Sequence, residues 1–153
     1  MPWLCLGMVM GVRRLGVVLA GLMMVLAAGC SGDREAAPPP APCGSPVNSE
    51  MQGTGSLWAL FFPKPGQPAP VLAGTETKIV WKIGGEGDFT VSAAGPDGAQ
   101  GKLAWGPTGH GGSTWERPGS EYGTGFVFPT AGCWTITAER ASGERGELRL
   151  TVA

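Results

Sequence analysis

The sequence predicts an all-β protein, an antiparallel β-sandwich of about seven strands. Two observations favour this fold class. After Cys43 the chain consists of short apolar stretches separated by Gly, Pro, Asn and Asp, and no helical repeat of useful length competes with them. Within most stretches apolar and polar residues alternate, so one face of each strand turns to a core and the other to water.

The strands in the first half of the domain follow from four stretches. SLWALFF (Ser56–Phe62) is a continuous apolar run, which predicts a strand buried on both faces. TKIVWKI (Thr77–Ile83) and DFTVSA (Asp88–Ala93) place their large apolar residues on one face. KLAW (Lys102–Trp105) predicts a short strand after the turn sequence PDG.

The second half predicts three more strands, the last two joined as a closing hairpin. These are TGFVF (Thr124–Phe128), CWTITA (Cys133–Ala138) and GELRLTV (Gly146–Val152), each with period-two alternation. Three tryptophans lie within apolar strands and are predicted core residues: Trp58, Trp81 and Trp134.

The segment FPTAGCWTI (Phe128–Ile136) resembles the end of many bacterial immunoglobulin-like domains. In that family a turn with proline and glycine leads into a strand whose aromatic residue packs on the core, and Trp134 stands where tyrosine is commoner. LWALFF near the start and GTGFVFPTAGCW near the end are similar to small uncharacterised bacterial exported proteins. The resemblance implies an immunoglobulin-like sandwich over residues 43–153 and no particular activity.

The N-terminal region is typical of a secretory signal. Arg13 and Arg14 precede the apolar run Leu15–Ala28, which is shorter than a bilayer span requires. The small residues that close on a cysteine at Leu26–Cys30 resemble the lipobox of bacterial lipoproteins. A plain signal peptide with an incidental cysteine and a retained transmembrane anchor are the alternatives.

The lipobox resemblance implies that residues 1–29 are removed and that Cys30 is acylated. The protein would then be anchored by lipid in the cell membrane or the outer membrane, on the extracytoplasmic side. Residues 30–42, rich in proline, predict an extended tether between the lipid and the domain.

The remaining cysteines, Cys43 and Cys133, predict one disulfide, since cysteine pairs of exported proteins are oxidised outside the cytosol. A metal site is the rival interpretation, but no CxxC motif or neighbouring histidine supplies further ligands. If Trp134 points inward, period two turns Cys133 outward. The bridge would then fasten the N-terminal segment across the outside of a sheet.

A glycine-rich segment around residues 109–126 carries most of the candidate functional side chains. Exposed aromatic rings stack on sugars or grip a protein partner, and charged neighbours supply hydrogen bonds. The alternative is structural, in which the same rings cap the sandwich and the charges form local ion pairs. The candidates for a ligand-binding or partner-binding site are Trp105, His110, Trp115, Glu116, Arg117, Glu121 and Tyr122.

The sequence favours binding over catalysis. A single histidine excludes multi-histidine metal centres, and no GxSxG elbow is present. Glu116 and Glu121 could serve as an acid–base pair, so a small envelope glycan hydrolase is the enzymatic alternative. We predict no enzyme, no cofactor and no metal. The charges are dispersed and the net charge is −1, which argues against nucleic acid as a partner.

Overall fold

The computed structural model describes residues 41–62 and 71–153. The signal peptide predicted over residues 1–29, the acylation predicted at Cys30 and nearly all of the predicted tether lie outside the described residues. A short 3₁₀ turn spans Pro96–Gly98. The strands are β1 (Glu50–Gln52), β2 (Trp58–Phe62), β3 (Glu76–Ile83), β4 (Phe89–Ala94), β5 (Lys102–His110), β6 (Ser120–Val127), β7 (Gly132–Arg140) and β8 (Arg145–Val152).

These strands form two antiparallel sheets. The larger sheet has the order β1-β2-β3-β6-β5, and the smaller has the order β4-β7-β8. The prediction of an all-β antiparallel sandwich is confirmed. The described residues hold eight strands instead of about seven, because the three-residue strand β1 precedes β2.

The core lies between the sheets and is built from the inward residues of each strand. Alternation is cleanest in β4, β7 and β8, where every second residue is buried. Trp81 and Trp134 are fully buried, as predicted. Each indole N–H has a partner, since Trp81 donates to Oγ1 of Thr124 at 2.9 Å and Trp134 donates to the carbonyl of Thr130 at 2.9 Å.

The prediction for β2 was wrong in one respect, because only one of its faces is buried between the sheets. Ala59 and Phe61 point into the core, whereas Trp58 is half-buried and Phe62 is exposed on the outer face. The continuous apolar run conceals an ordinary period-two strand. Trp58 is therefore not a core residue, and its ring packs under the guanidinium of Arg117 at 4.5 Å.

Much of the glycine-rich segment belongs to strands and not to a loop. Strand β5 continues to His110, and β6 begins at Ser120. Only residues 111–119 connect the two strands, and we call this connection the β5–β6 loop. His110 and Glu121 are thus strand residues directly opposite each other.

The disulfide between Cys43 and Cys133 forms as predicted, with 5.8 Å between the Cα atoms. Trp134 is fully buried, so alternation along β7 turns the half-buried Cys133 to the outer face of the smaller sheet. Next to Cys43, Gly44 makes backbone hydrogen bonds of 3.0 and 2.7 Å to β8, in the parallel direction. The N-terminal segment is therefore held outside the sandwich by a covalent bond and by strand-like pairing.

Replacing both Cys43 and Cys133 by serine is expected to lower the free energy of unfolding by roughly 4 kcal/mol, because the bridge closes a long loop that restrains the unfolded chain. Guanidinium unfolding followed by tryptophan fluorescence measures the change. Unmodified protein unfolded in the presence of a reductant should show the same decrease in the free energy of unfolding. Equal midpoints for the three samples would contradict the expectation.

Candidate functional site

The β5–β6 loop lies back over the outer face of the larger sheet. The carbonyl of Trp115 accepts a hydrogen bond of 2.6 Å from Nζ of Lys82, and this ammonium lies 5.7 Å from the centre of the Trp115 ring. Arg117 forms an ion pair with Glu50 and covers the ring of Trp58. Two cations therefore tie the loop to β1, β2 and β3.

The carboxylate of Glu121 lies beneath this loop, with 7% of its side chain exposed. One oxygen contacts Nδ1 of His110 at 2.5 Å, and the other accepts a hydrogen bond from the hydroxyl of Ser113. Nζ of Lys82 is 3.5 Å from the second oxygen. His110 and Lys82 face Glu121 in register from the two neighbouring strands, so strand pairing brings these three groups together.

Burial acts to raise the pKa of Glu121, but hydrogen bonds from Ser113, His110 and Lys82, with the charge of Lys82, outweigh it and hold the pKa below its ordinary value. Glu121 is therefore an anion at neutral pH and can only accept hydrogen bonds. Nδ1 of His110 must then carry the hydrogen of their contact. In the neutral ring this leaves Nε2 as an acceptor on a side chain that is 47% exposed.

This cluster is unlike a hydrolytic triad. In a triad histidine stands between serine and the carboxylate and takes the serine proton. Here Glu121 stands in the middle, and no hydrogen bond joins Ser113 to His110 in the part of the chain that the structure describes. Glu116 is exposed, and its side chain forms no hydrogen bond or ion pair with Glu121 among these residues. A carboxylate held as an anion also lacks the proton that a glycosidase acid donates.

Trp105 lies on the outer face of the sheet, and its ring covers the backbone of Gly123 and Gly125. A Cβ atom at Gly125 would come within 2.1 Å of the indole nitrogen, so this close approach requires glycine. The indole N–H donates to a carboxylate oxygen of Glu76 at 3.0 Å. Trp105 is 39% exposed. The ring is thus fixed on the sheet and available for stacking.

Tyr122 does not share this surface. Its ring points between the sheets and stacks on Phe89, with 4.5 Å between centroids and 17° between planes. The guanidinium of Arg140 lies 5.0 Å from the same ring. Because neighbouring residues of a strand point to opposite faces, the ring of Tyr122 lies on the core side of β6 and the carboxylate of Glu121 on the outer side. The structure thus places the Tyr122 ring in the packing between the sheets, apart from the side chains of the other candidates.

Three predicted site residues meet side chains of β2 and β3 that the sequence analysis did not select. Together they line a groove of about 290 Å³ on the outer face of the larger sheet. We call this the outer-face groove and define it by Phe62, Lys78, Val80, His110, Trp115 and Glu121. In β2 every residue is apolar, so the only sequence signal for this face was the pair Lys78 and Lys82, which alternation in β3 places on the side away from the core.

A second, wider depression of about 560 Å³ lies beside the same cluster. It is lined by Lys82, by residues 109–113 and by residues 119–122. Most of this lining is glycine and serine, and no tryptophan takes part. The outer-face groove is smaller but combines aromatic, cationic and hydrogen-bonding groups, as ligand sites do. We therefore take the groove as the candidate site.

Neither a metal site nor a membrane-spanning helix in the described residues, nor a similar protein, was found to add to this description. Within residues 41–62 and 71–153, no three His, Cys, Asp or Glu side chains meet in a way that could hold a metal ion. The same residues include no helix with the length and apolar character needed to cross a bilayer. Protein-family models, curated proteins and solved structures yielded no match to the chain.

The Glu121→Gln substitution is expected to lower the free energy of unfolding at pH 7 by about 2 kcal/mol, because charge-assisted hydrogen bonds are lost. The pKa of Glu121 is lowered by folding, so its contribution is complete above pH 4.5 and declines as the pH falls through the folded value. The difference from unmodified protein should therefore shrink in acid. Urea unfolding at pH 7 and in the acid range measures it.

The matched control for this variant is Glu116→Gln, which removes an exposed carboxylate from the same loop. Its unfolding should equal that of unmodified protein at every pH. If both variants lose the same stability, or if the Glu121→Gln difference is unchanged in acid, the role assigned to Glu121 is wrong.

Proposed function

We propose that this protein is a lipid-anchored component of the bacterial cell envelope. Its immunoglobulin-like domain binds a protein or glycan partner and catalyses no reaction. The outer-face groove is the observation that carries the proposal. It brings the aromatic residues Phe62 and Trp115 together with Lys78 and His110 on a surface that the sandwich core leaves open. Aromatic anchors with a few polar groups are typical of recognition sites.

The immunoglobulin-like part of the proposal has support from strand order. In constant-type immunoglobulin sandwiches one sheet has the order A-B-E-D and the other C-F-G. Strands β2, β3, β6 and β5 correspond to the first order, and β4, β7 and β8 to the second. The disulfide differs, because Cys43 lies outside the sandwich, whereas antibody domains bridge the two sheets.

The lipid-anchored part rests on the sequence. Small residues before Cys30 follow a short apolar run, and a proline-rich segment separates Cys30 from the domain. The disulfide is in keeping with an oxidising, extracytoplasmic location. The domain would then face the envelope compartment, where protein and glycan partners are accessible.

The geometry favours binding over glycan hydrolysis by Glu116 and Glu121. A general acid needs a raised pKa, whereas hydrogen bonds hold that of Glu121 down. Glu121 instead orients its neighbours, as a buried carboxylate commonly does. The purely structural alternative differs from the proposal in one respect, since it requires no partner at the groove.

Substituting Cys30 by alanine is expected to abolish palmitate labelling and to move the protein from the detergent phase to the aqueous phase, because the acylated thiol is removed. Metabolic labelling followed by phase separation measures both. Cys5→Ala, which changes a cysteine of the predicted signal, should behave as unmodified protein. Unchanged partitioning of Cys30→Ala would contradict lipid anchoring.

A photoreactive p-benzoylphenylalanine at position 114 is expected to form a cross-linked adduct in living cells, because Thr114 lines the groove and is exposed. The matched control places the same group at Thr90, on the outer face of the other sheet. Electrophoresis of the protein measures the adducts. Equal adducts at both positions, or none at position 114, would contradict a binding role for the groove.

A further inference from the structure

The cationic side chains of the outer face differ in whether they are paired with a carboxylate. Lys82 is paired with Glu121, and Arg117 is paired with Glu50. Lys78 is exposed and forms no ion pair among the described residues. Its ammonium lies 5.0 Å from the centre of the Phe62 ring, at the edge of the groove. The groove therefore presents one positive charge that the described part of the chain does not neutralise.

Strand register places the aromatic side chains around this charge. Phe62, Lys78, Gly125 and Trp105 occupy one row across β2, β3, β6 and β5. Adjacent strands are about 4.8 Å apart, so the row spans roughly 14 Å. The backbone of Trp105 stands at one end and Phe62 at the other, and the fixed ring of Trp105 reaches back over Gly125 toward β3. Trp115 faces this row from the β5–β6 loop, across the groove.

The hydrogen-bonding groups of the groove are side chains. Ser113, Thr114 and the exposed imidazole of His110 line it, and Nε2 of His110 is an acceptor when the ring is neutral. The groove crosses the face of the sheet, where backbone groups are already paired between strands. An extended peptide therefore cannot bind here by adding a strand, which requires a sheet edge. Flat rings, hydroxyls and an imidazole suit a polyhydroxylated ligand.

We propose that the outer-face groove binds an anionic glycan, a polysaccharide whose sugar units carry carboxylates. Phe62 and Trp115 contact the faces of the sugar rings, Lys78 pairs with a sugar carboxylate, and His110 accepts a hydrogen bond from a sugar hydroxyl. This inference rests on the proposed binding function and names the class of partner. The groove volume of about 290 Å³ is at the lower end for a small-molecule site, which suits a short section of a chain.

The experiment titrates the full-length acylated protein, purified in detergent micelles, with polygalacturonate oligomers by calorimetry. Fully methyl-esterified oligomers are the matched ligand, since they keep the rings and lose the charges. Poly-L-glutamate is the second matched ligand, with carboxylates and no sugar. We expect polygalacturonate to bind and both matched ligands to bind at least tenfold more weakly.

Two variants test the residues. Lys78→Met keeps the aliphatic stem and is expected to weaken polygalacturonate binding about fivefold, as for a solvent-accessible ion pair. Phe62→Ala removes an exposed ring and should weaken it about tenfold. Lys102→Met is the control, since it removes the same charge from β5 outside the groove and should bind as unmodified protein does.

Three results would overturn the inference: no binding of polygalacturonate, equal binding of its methyl ester, or equal binding of poly-L-glutamate. A loss of affinity in Lys102→Met as large as in Lys78→Met would also overturn it, because attraction would then be nonspecific. The cross-link at position 114 is independent of these titrations. If it forms while polygalacturonate fails to bind, the binding function stands and the glycan assignment falls.

Discussion

The buried carboxylate of Glu121 is the interaction on which the outer face of the larger sheet depends. A charge removed from water is costly unless hydrogen bonds and opposite charge surround it. Lys82 supplies a positive charge and His110 a hydrogen bond, each from a strand next to β6. Ser113 donates a further hydrogen bond from the β5–β6 loop. The requirement to satisfy one anion therefore couples the loop to the sheet. Trp115, held by the same lysine, receives a fixed position as a result.

This coupling determines what kind of surface the molecule offers. A groove whose walls are already in place requires little ordering when a partner arrives, so less of the interaction energy is lost to entropy. The ring of Trp105 is also fixed before a partner binds, because it donates a hydrogen bond to Glu76 and packs on the backbone of two glycines. The outer face thus combines rigid aromatic rings with a polar cluster. Neither group belongs to the core that stabilises the sandwich.

Sequence alone predicts the fold class well and the site only in part. Alternation along β7 and β8 is unambiguous, and it also predicts on which side of the smaller sheet Cys133 lies. In β2 every residue is apolar, so the pattern cannot distinguish burial on two faces from an apolar outer surface such as Phe62. The prediction began this strand at Thr124 and missed residues 120–123, because Gly119 and Gly123 usually indicate a loop. Within the strand, Gly123 lies under the ring of Trp105, which covers its backbone.

If the domain is tethered at its N-terminus as proposed, the disulfide described above has a mechanical consequence. Tension applied ahead of Cys43 passes through sulfur into β7, a central strand of its sheet that pairs with β4 and β8. The short strand β1, which pairs with β2 alone, is bypassed by that force. Such a load enters a strand that has hydrogen-bonded neighbours on both sides, and not an edge strand that could separate one hydrogen bond at a time.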